Sequence, residues 1–168
     1  MTLSMYQASV PVFVRALSNL AEVLKKGEAH ATSKSVSGEV MLQTRLIADM
    51  LPLVKQVQIA ADMVTRGAAR LAGVEPKSFE DNETNFEQVQ ARIASAIDYL
   101  KTFTPAQIDG SEQREIVLKM RTGELKFDGQ SYLLHFVLPN LFFHCTTAYN
   151  ILRDAGTEIG KNDFLGRV

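Results

Sequence analysis

The chain has 168 residues and a mass of 18.6 kDa, which suits a single domain and excludes a multidomain assembly. Hydrophobic residues make up 46% and charged residues 22%, so a packed core is expected rather than intrinsic disorder. Eighteen Lys and Arg residues against nineteen Asp and Glu residues give a formal charge of -1, so no nucleic-acid partner is indicated.

Location signals are weak in this sequence. The single cysteine, Cys145, cannot close an intrachain disulfide, so the cytoplasm is the expected location. The residues after Met1 do not follow the basic and apolar order of a secretory signal. The most apolar window, 132–148, is interrupted by His135 and Pro139, so it is predicted to be a buried helix rather than a membrane span. Neither export nor membrane insertion is predicted.

The first predicted helix covers residues 4–26. Its apolar residues recur at alternating steps of four and three, which is the spacing of one helical face: Tyr6, Val10, Phe13, Leu17, Leu20 and Leu24. Ser4 and Gln7 match a capping box at the start. Pro11 lies inside the segment and predicts either a kink or a later start near Ser9.

The second predicted helix covers residues 39–71 and ends at Gly73. It is preceded by a predicted loop, 27–37, in which His30 is expected to be solvated. The helix has the same three and four spacing: Met50, Val54, Val57, Ala61, Val64, Ala68 and Leu71. Pro52 predicts that the residues before it form a separate short helical turn.

The third predicted helix starts at a capping box of Thr84 and Glu87 and ends before Pro105. Its core-facing residues follow the helical period: Phe86, Val89, Ile93, Ile97 and Leu100. The connection before it, 75–82, contains Pro and acidic residues and is expected to cross the surface. Nearby carboxylates are expected to be solvated: Glu80, Asp81 and Glu83.

A small hairpin precedes the last predicted helix. Two short segments, 115–120 and 124–127, flank Arg121, Thr122 and Gly123. Apolar residues alternate along them and are expected to face the helices: Ile116, Leu118, Met120, Leu125 and Phe127.

The last predicted helix covers residues 131–155, stops at Gly156 and should kink at Pro139. It is apolar on nearly all sides, which indicates either a central position or a face shared with a partner subunit. Four helices with one hairpin predict an all-α fold, an antiparallel four-helix bundle in one domain with the hairpin before the last helix.

A polar strip interrupts this apolar helix. Asn140 and His144 lie one turn apart on one face, whereas His135 lies on the opposite face. A buried polar group without a partner costs about 1–3 kcal/mol, so Asn140 and His144 should bond to side chains of a neighbouring helix. The second helix offers Gln56, with Asp49 nearby in sequence. The strip is interpreted either as a structural contact between helices or as part of a binding site.

Other enzyme motifs are not found. The sequence contains neither a Walker loop nor a glycine-rich dinucleotide turn nor an H-E-x-x-H helix. Cys145 adjoins His144, but adjacent residues point about 100° apart on a helix, so a thiolate–imidazole pair is not predicted. Cys145 is expected to be buried and inert.

Five stretches are spread over nearly the whole chain: residues 132–144, 146–153 with Gly156, 160–161, 5–11 and 49–53. Together they resemble an uncharacterised domain-of-unknown-function family related to the DinB-like four-helix bundles. The resemblance implies the DinB-like bundle fold. Many DinB-like proteins bind a divalent metal through three histidines and often form dimers, with one ligand on the second helix and two on the last.

Laid on this chain, the resemblance places the last-helix pair of ligands at Asn140 and His144 and the second-helix ligand near Gln56. Of these, His144 alone is an imidazole, and amide oxygens are poor ligands for zinc or nickel. Asp49 or His135 would be needed to complete a rearranged site.

Two functions follow as hypotheses. In the first, the chain is a binding or structural module that works as a homodimer, with Gln56, Asn140 and His144 beneath an apolar pocket that holds a small ligand. In the second, it is a divalent-metal-dependent thiol transferase or hydrolase with His144 as a ligand of zinc or nickel. No nucleic-acid or membrane partner is expected in either case.

Overall fold

The computed structural model describes residues 3–120 and 123–166, and for residue 120 it describes the backbone alone. Its helices are α1 (Met5–Ala8), α2 (Val10–Ser33), α3 (Gly38–Gln43), α4 (Leu53–Ala72), α5 (Phe86–Lys101), α6 (Pro105–Ile108), α7 (Gly129–Tyr132), α8 (Leu138–Asp154) and α9 (Lys161–Leu165). A π-helical turn, Leu133–Val137, joins α7 to α8, and two strands, β1 (Ile116–Met120) and β2 (Gly123–Phe127), precede α7. The predicted four-helix bundle with a hairpin is confirmed.

The bundle consists of α2, α4, α5 and α8, packed in the cyclic order α2, α5, α4, α8. On α2 and α8, Gly27 and His30 lie beside Leu152 and Ala155, so these two helices run in the same direction, which differs from the antiparallel arrangement predicted for the bundle. On α4 and α8, the α4 residue Gly67 lies beside Val137, just before α8, whereas Gln56 reaches the later His144, so this pair is antiparallel. The hydrophobic core lies mainly between the four helices, and a few polar residues, among them Gln56 and Arg92, are buried with it.

The start of the chain has both features that Pro11 predicts, a break in the helix and a later helix start near Ser9. Ser4 and Gln7 form the predicted capping box on α1, and the helix breaks at Ser9. The longer helix α2 then begins at Val10 with Pro11 in its first turn. Proline is tolerated there because the first backbone N–H groups of a helix have no intrahelical acceptor.

The predicted loop at 27–37 is wrong over most of its length, since α2 continues to Ser33. Packing against α8 explains the extension. A Cβ atom at Gly27 would lie 2.6 Å from Leu152 Cδ2, so the glycine allows close approach of α2 and α8. His30 is half-buried rather than solvated, and its Nε2 lies 3.1 Å from the carbonyl oxygen of Ala155.

The second segment divides as Pro52 predicts. Helix α3 is separate, residues 44–52 are irregular, and α4 begins at Leu53. Gly73 ends α4 with a left-handed φ of 71°, a conformation that glycine adopts without a Cβ penalty. The cap of α5 differs by one residue from the prediction, because the Asn85 side chain accepts from the N–H of Gln88.

The hairpin has the predicted position, and its register pairs Ile116 with Phe127 and Leu118 with Leu125. Ile116 and Leu118 are buried. Leu125 is 43% exposed, so its expected place against the helices is wrong. Phe127 makes the contact from β2, since its ring packs against Tyr132 and Phe136. Arg121 and Thr122 of the predicted turn lie outside the described residues, as does the side chain expected to pack at position 120.

The last long helix departs from regular α-geometry just before its proline. The turn Leu133–Val137 is π-helical and ends two residues before Pro139, where the sequence predicts a kink. This segment is buried on one side, as predicted. Three of its apolar residues are nevertheless exposed: Leu134, Phe142 and Phe143. Across residues 3–120 and 123–166, helices lack the length and apolarity needed to cross a membrane.

Candidate functional site

Helices α4 and α8 are joined by a hydrogen bond between Gln56 and His144. Gln56 is buried on α4, and its Nε2 donates to the carbonyl oxygen of Leu51 at 2.9 Å. This bond turns the amide oxygen toward α8, where Oε1 lies 2.7 Å from Nδ1 of His144. Because an amide oxygen accepts hydrogen bonds, Nδ1 carries the proton and donates it. The neutral ring then has its lone pair on Nε2.

The environment of His144 favours this neutral ring. Partial burial lowers the pKa of His144 below its ordinary value, since removal from water disfavours the charged imidazolium. Within the described residues, Nε2 of His144 has no hydrogen-bond partner. It is also not among the polar atoms of that part of the chain that are buried without a partner. The Nε2 lone pair of His144 is therefore accessible to solvent.

Asn140 bonds to its own helix, which corrects the expectation of a partner on a neighbouring one. Its Nδ2 donates to the carbonyl oxygen of Phe136 at 2.7 Å. Thr147 on the same strip likewise donates to the carbonyl oxygen of Phe143, at 2.8 Å. Side-chain bonds to backbone one turn earlier are common for short polar residues in helices. The structure thus brings together Gln56 and His144, with Asn140 one turn away.

Asp49 and His135 stand apart from this pair. Asp49 is exposed in the irregular segment before α4, and His135 is exposed on the π-helical turn. Throughout the described part of the chain, no group of three or more His, Cys, Asp or Glu side chains is arranged to hold a metal. The donors present do not fit a zinc or nickel centre: one imidazole nitrogen is open, and the Gln56 oxygen is occupied by the ring.

An apolar pocket of about 210 Å³ lies on another side of α8, between α2, α8 and α9. Its apolar lining includes Val12, Ala16, Leu20, Phe142, Cys145 and Phe164. Arg15 and Asn19 also line it. Gln56, Asn140 and His144 do not, so the expectation that they lie beneath an apolar pocket is corrected. His144 of α8 contacts α4, whereas Phe142 and Cys145 of α8 line the pocket together with residues of α2.

Helix α9, which forms one wall of this pocket, was not predicted. Gly160 caps its start, and the backbone N–H of Gly160 donates to the Asp163 side chain at 2.8 Å. Asp163 also binds Lys26 on α2 at 2.5 Å. An acidic residue three positions after Gly160 is a recognisable start signal, so the sequence contained a clue to α9.

Cys145 lines the pocket as a buried thiol, as predicted. Burial raises its pKa to about 12, so the thiol is protonated at neutral pH. The prediction of an unreactive side chain agrees with this environment.

A buried ionic cluster centres on Arg92 of α5, and the sequence analysis missed it. The Arg92 side chain is 3% exposed and contacts three carboxylates: Asp62 on α4, and Asp81 and Glu83 before α5. Glu83 is 6% exposed, so its predicted solvation is wrong. The guanidinium also lies 4.7 Å from the ring centre of Phe79. Helical spacing does not reveal this cluster, because its members lie on different segments of the chain.

The fold is that of a DinB-like four-helix bundle, as the similarity to a solved structure shows. The structure is similar to the crystal structure of a DinB family member protein from Shewanella denitrificans, with a TM-score of 0.89 and 37% sequence identity. The match covers 97% of this chain and 92% of that one. No curated protein matches the chain.

Residues 5–165 match the family described as domain of unknown function DUF1993. The chain belongs to this family. The resemblance drawn from the sequence is confirmed by both findings.

Proposed function

We propose that this protein is a small-ligand-binding bundle that acts as a homodimer and does not use a three-histidine metal centre. The observation that carries the proposal is the apolar pocket between α2, α8 and α9. Ligand sites are usually concave and mostly apolar, with a few polar groups that orient the ligand. The pocket has this composition, since Arg15 and Asn19 accompany a mainly apolar lining.

The pocket volume sets the size of the ligand. An apolar cavity of about 150 Å³ can accept a molecule such as benzene. A volume of about 210 Å³ therefore suits a ligand of one ring or a short alkyl chain.

Binding of 1-hexanol, followed by the backbone amide NMR spectrum, tests this proposal. We expect shifts concentrated at residues that line the pocket. Ala16→Leu places a larger side chain in the pocket and should weaken hexanol binding at least about tenfold. Ala29→Leu, the same change at an exposed position of α2, should leave it unaltered. Equal binding by both variants, or shifts scattered over the surface, would contradict the proposed pocket.

The homodimer is supported by exposed apolar side chains on one helix. Phe142 and Phe143, adjacent on α8, are 41% and 58% exposed. Sedimentation at micromolar concentration should give a dimer, and Phe143→Asp should give a monomer. The matched variant Val117→Asp alters an exposed apolar residue on β1 and should remain dimeric. A monomeric wild-type protein would refute the dimer.

The metal-free part of the proposal is supported by the donor chemistry around His144. Elemental analysis of protein purified without chelator or nickel resin should give much less than one metal ion per chain. The opposite result, a stoichiometric metal lost in His144→Ala and retained in His135→Ala, would instead support a divalent-metal-dependent thiol transferase or hydrolase. The accessible Nε2 of His144 is the observation that keeps this second function open to test.

A further inference from the structure

Two polar side chains of α2 border the apolar pocket and donate hydrogen bonds to the end of α9. Nη2 of Arg15 lies 3.1 Å from the carbonyl oxygen of Leu165. Nδ2 of Asn19 lies 2.9 Å from the same oxygen and 3.2 Å from that of Phe164. These donors therefore converge on an acceptor at the edge of the pocket.

The charge of Arg15 is not balanced by this contact. A carbonyl oxygen is a neutral acceptor, and the ion pairs formed among residues 3–120 and 123–166 do not include Arg15. A guanidinium has five N–H donors, and the bond to Leu165 uses one of them. The remaining donors are suited to a carboxylate, which Arg binds through two parallel hydrogen bonds.

We propose that the ligand of this pocket is a small monocarboxylate, whose apolar part fills the pocket and whose carboxylate binds Arg15. The inference rests on the proposed ligand-binding function and adds the chemical class of the ligand. The apolar lining from Val12, Leu20 and Phe142 would receive a ring or a short alkyl chain. Arg15, exposed at the rim, holds the carboxylate without requiring its complete removal from water.

Comparing hexanoate with 1-hexanol tests the inference, because the two molecules have equal chain length and differ in the head group. Kd values come from amide shifts of pocket residues at pH 7.5. We expect hexanoate to bind the wild-type protein about tenfold more tightly than hexanol, the effect of one charge-assisted hydrogen bond. Arg15→Gln should remove this preference, so that hexanoate and hexanol bind this variant with similar Kd values.

Arg45→Gln is the matched control. Arg45 is also exposed and also donates to a backbone carbonyl, that of Met50, but it does not line the pocket. This variant should keep the preference for hexanoate. A preserved amide spectrum in both variants verifies that the bundle is folded.

The outcomes separate the inference from the function on which it rests. Hexanol binding without a preference for hexanoate, or a preference that survives Arg15→Gln, overturns the carboxylate assignment and leaves the ligand-binding pocket standing. Binding of neither molecule overturns both.

Discussion

Two of the polar contacts that helix α4 makes with its neighbours have opposite character. Toward α5 it presents Asp62 to the buried guanidinium of Arg92, in a cluster with Asp81 and Glu83. Toward α8 it presents Gln56 to His144, a pair of neutral groups. One contact is ionic and holds a long connection against the bundle, whereas the other is a single hydrogen bond between two helices.

The comparison shows how burial determines the chemistry of each contact. A buried charge is expensive unless several partners compensate it, and Arg92 has three carboxylates around it. A neutral amide and a neutral imidazole need much less compensation, so one hydrogen bond suffices between α4 and α8. Removal of a partner should therefore have unequal effects at the two places.

The largest effect is expected for Arg92→Ala. Loss of this guanidinium leaves Glu83 and Asp62 without their buried partner, which should lower the free energy of unfolding by about 3–5 kcal/mol. Urea denaturation measures the change. Arg66→Ala is the control, because Arg66 binds the same Asp62 at 2.8 Å but is 44% exposed. Its loss should cost less than about 1 kcal/mol, and equal effects of the two variants would contradict the distinction.

Gln56→Ala should have an intermediate effect of about 1–3 kcal/mol, because Nδ1 of His144 and the carbonyl oxygen of Leu51 both lose their partner. The same denaturation experiment applies. If the pair acts as a unit, the double variant Gln56→Ala/His144→Ala should be less destabilised than the sum of the single variants. Additive effects would show that the hydrogen bond contributes little.

The pH dependence of stability should distinguish the neutral pair from the charged cluster. Since the pKa of His144 is lowered in the folded state, the unfolded chain binds a proton more readily. The contribution of neutral His144 to the free energy of unfolding is fully present above the unfolded pKa of about 6.5. It is lost as the pH falls through the folded pKa. His144→Gln should remove that component, whereas His135→Gln should retain it. Identical pH profiles for wild type and His144→Gln would exclude it.

Asn140→Ala should give the smallest change, about 0.5 kcal/mol, because its bond to the Phe136 carbonyl oxygen is local to one helix. Denaturation under the conditions used for Gln56→Ala provides the comparison. A loss as large as that of Gln56→Ala would mean that Asn140 belongs to the contact between α4 and α8.

The sequence could predict one side of this comparison and not the other. His144 and Asn140 were recognisable as polar residues on an apolar helix, and the family resemblance placed Gln56 opposite them. For Arg92 there was no such contrast, because a charged residue on an amphipathic helix is ordinarily solvated. Its partners lie 30, 11 and 9 positions away, so the packing of α4, α5 and the connection is what brings them together.

Local patterns in the sequence alone determined the long helices, the hairpin and the breaks near Pro11 and Pro52, since these depend on periodicity and backbone restriction within a few residues. Tertiary structure decided the rest. Contact with α8 made residues 27–33 helical, and docking of α9 against α2 created the pocket beside Arg15 and Asn19. These features join residues more than 100 positions apart, and such contacts form when the folded bundle brings distant helices together.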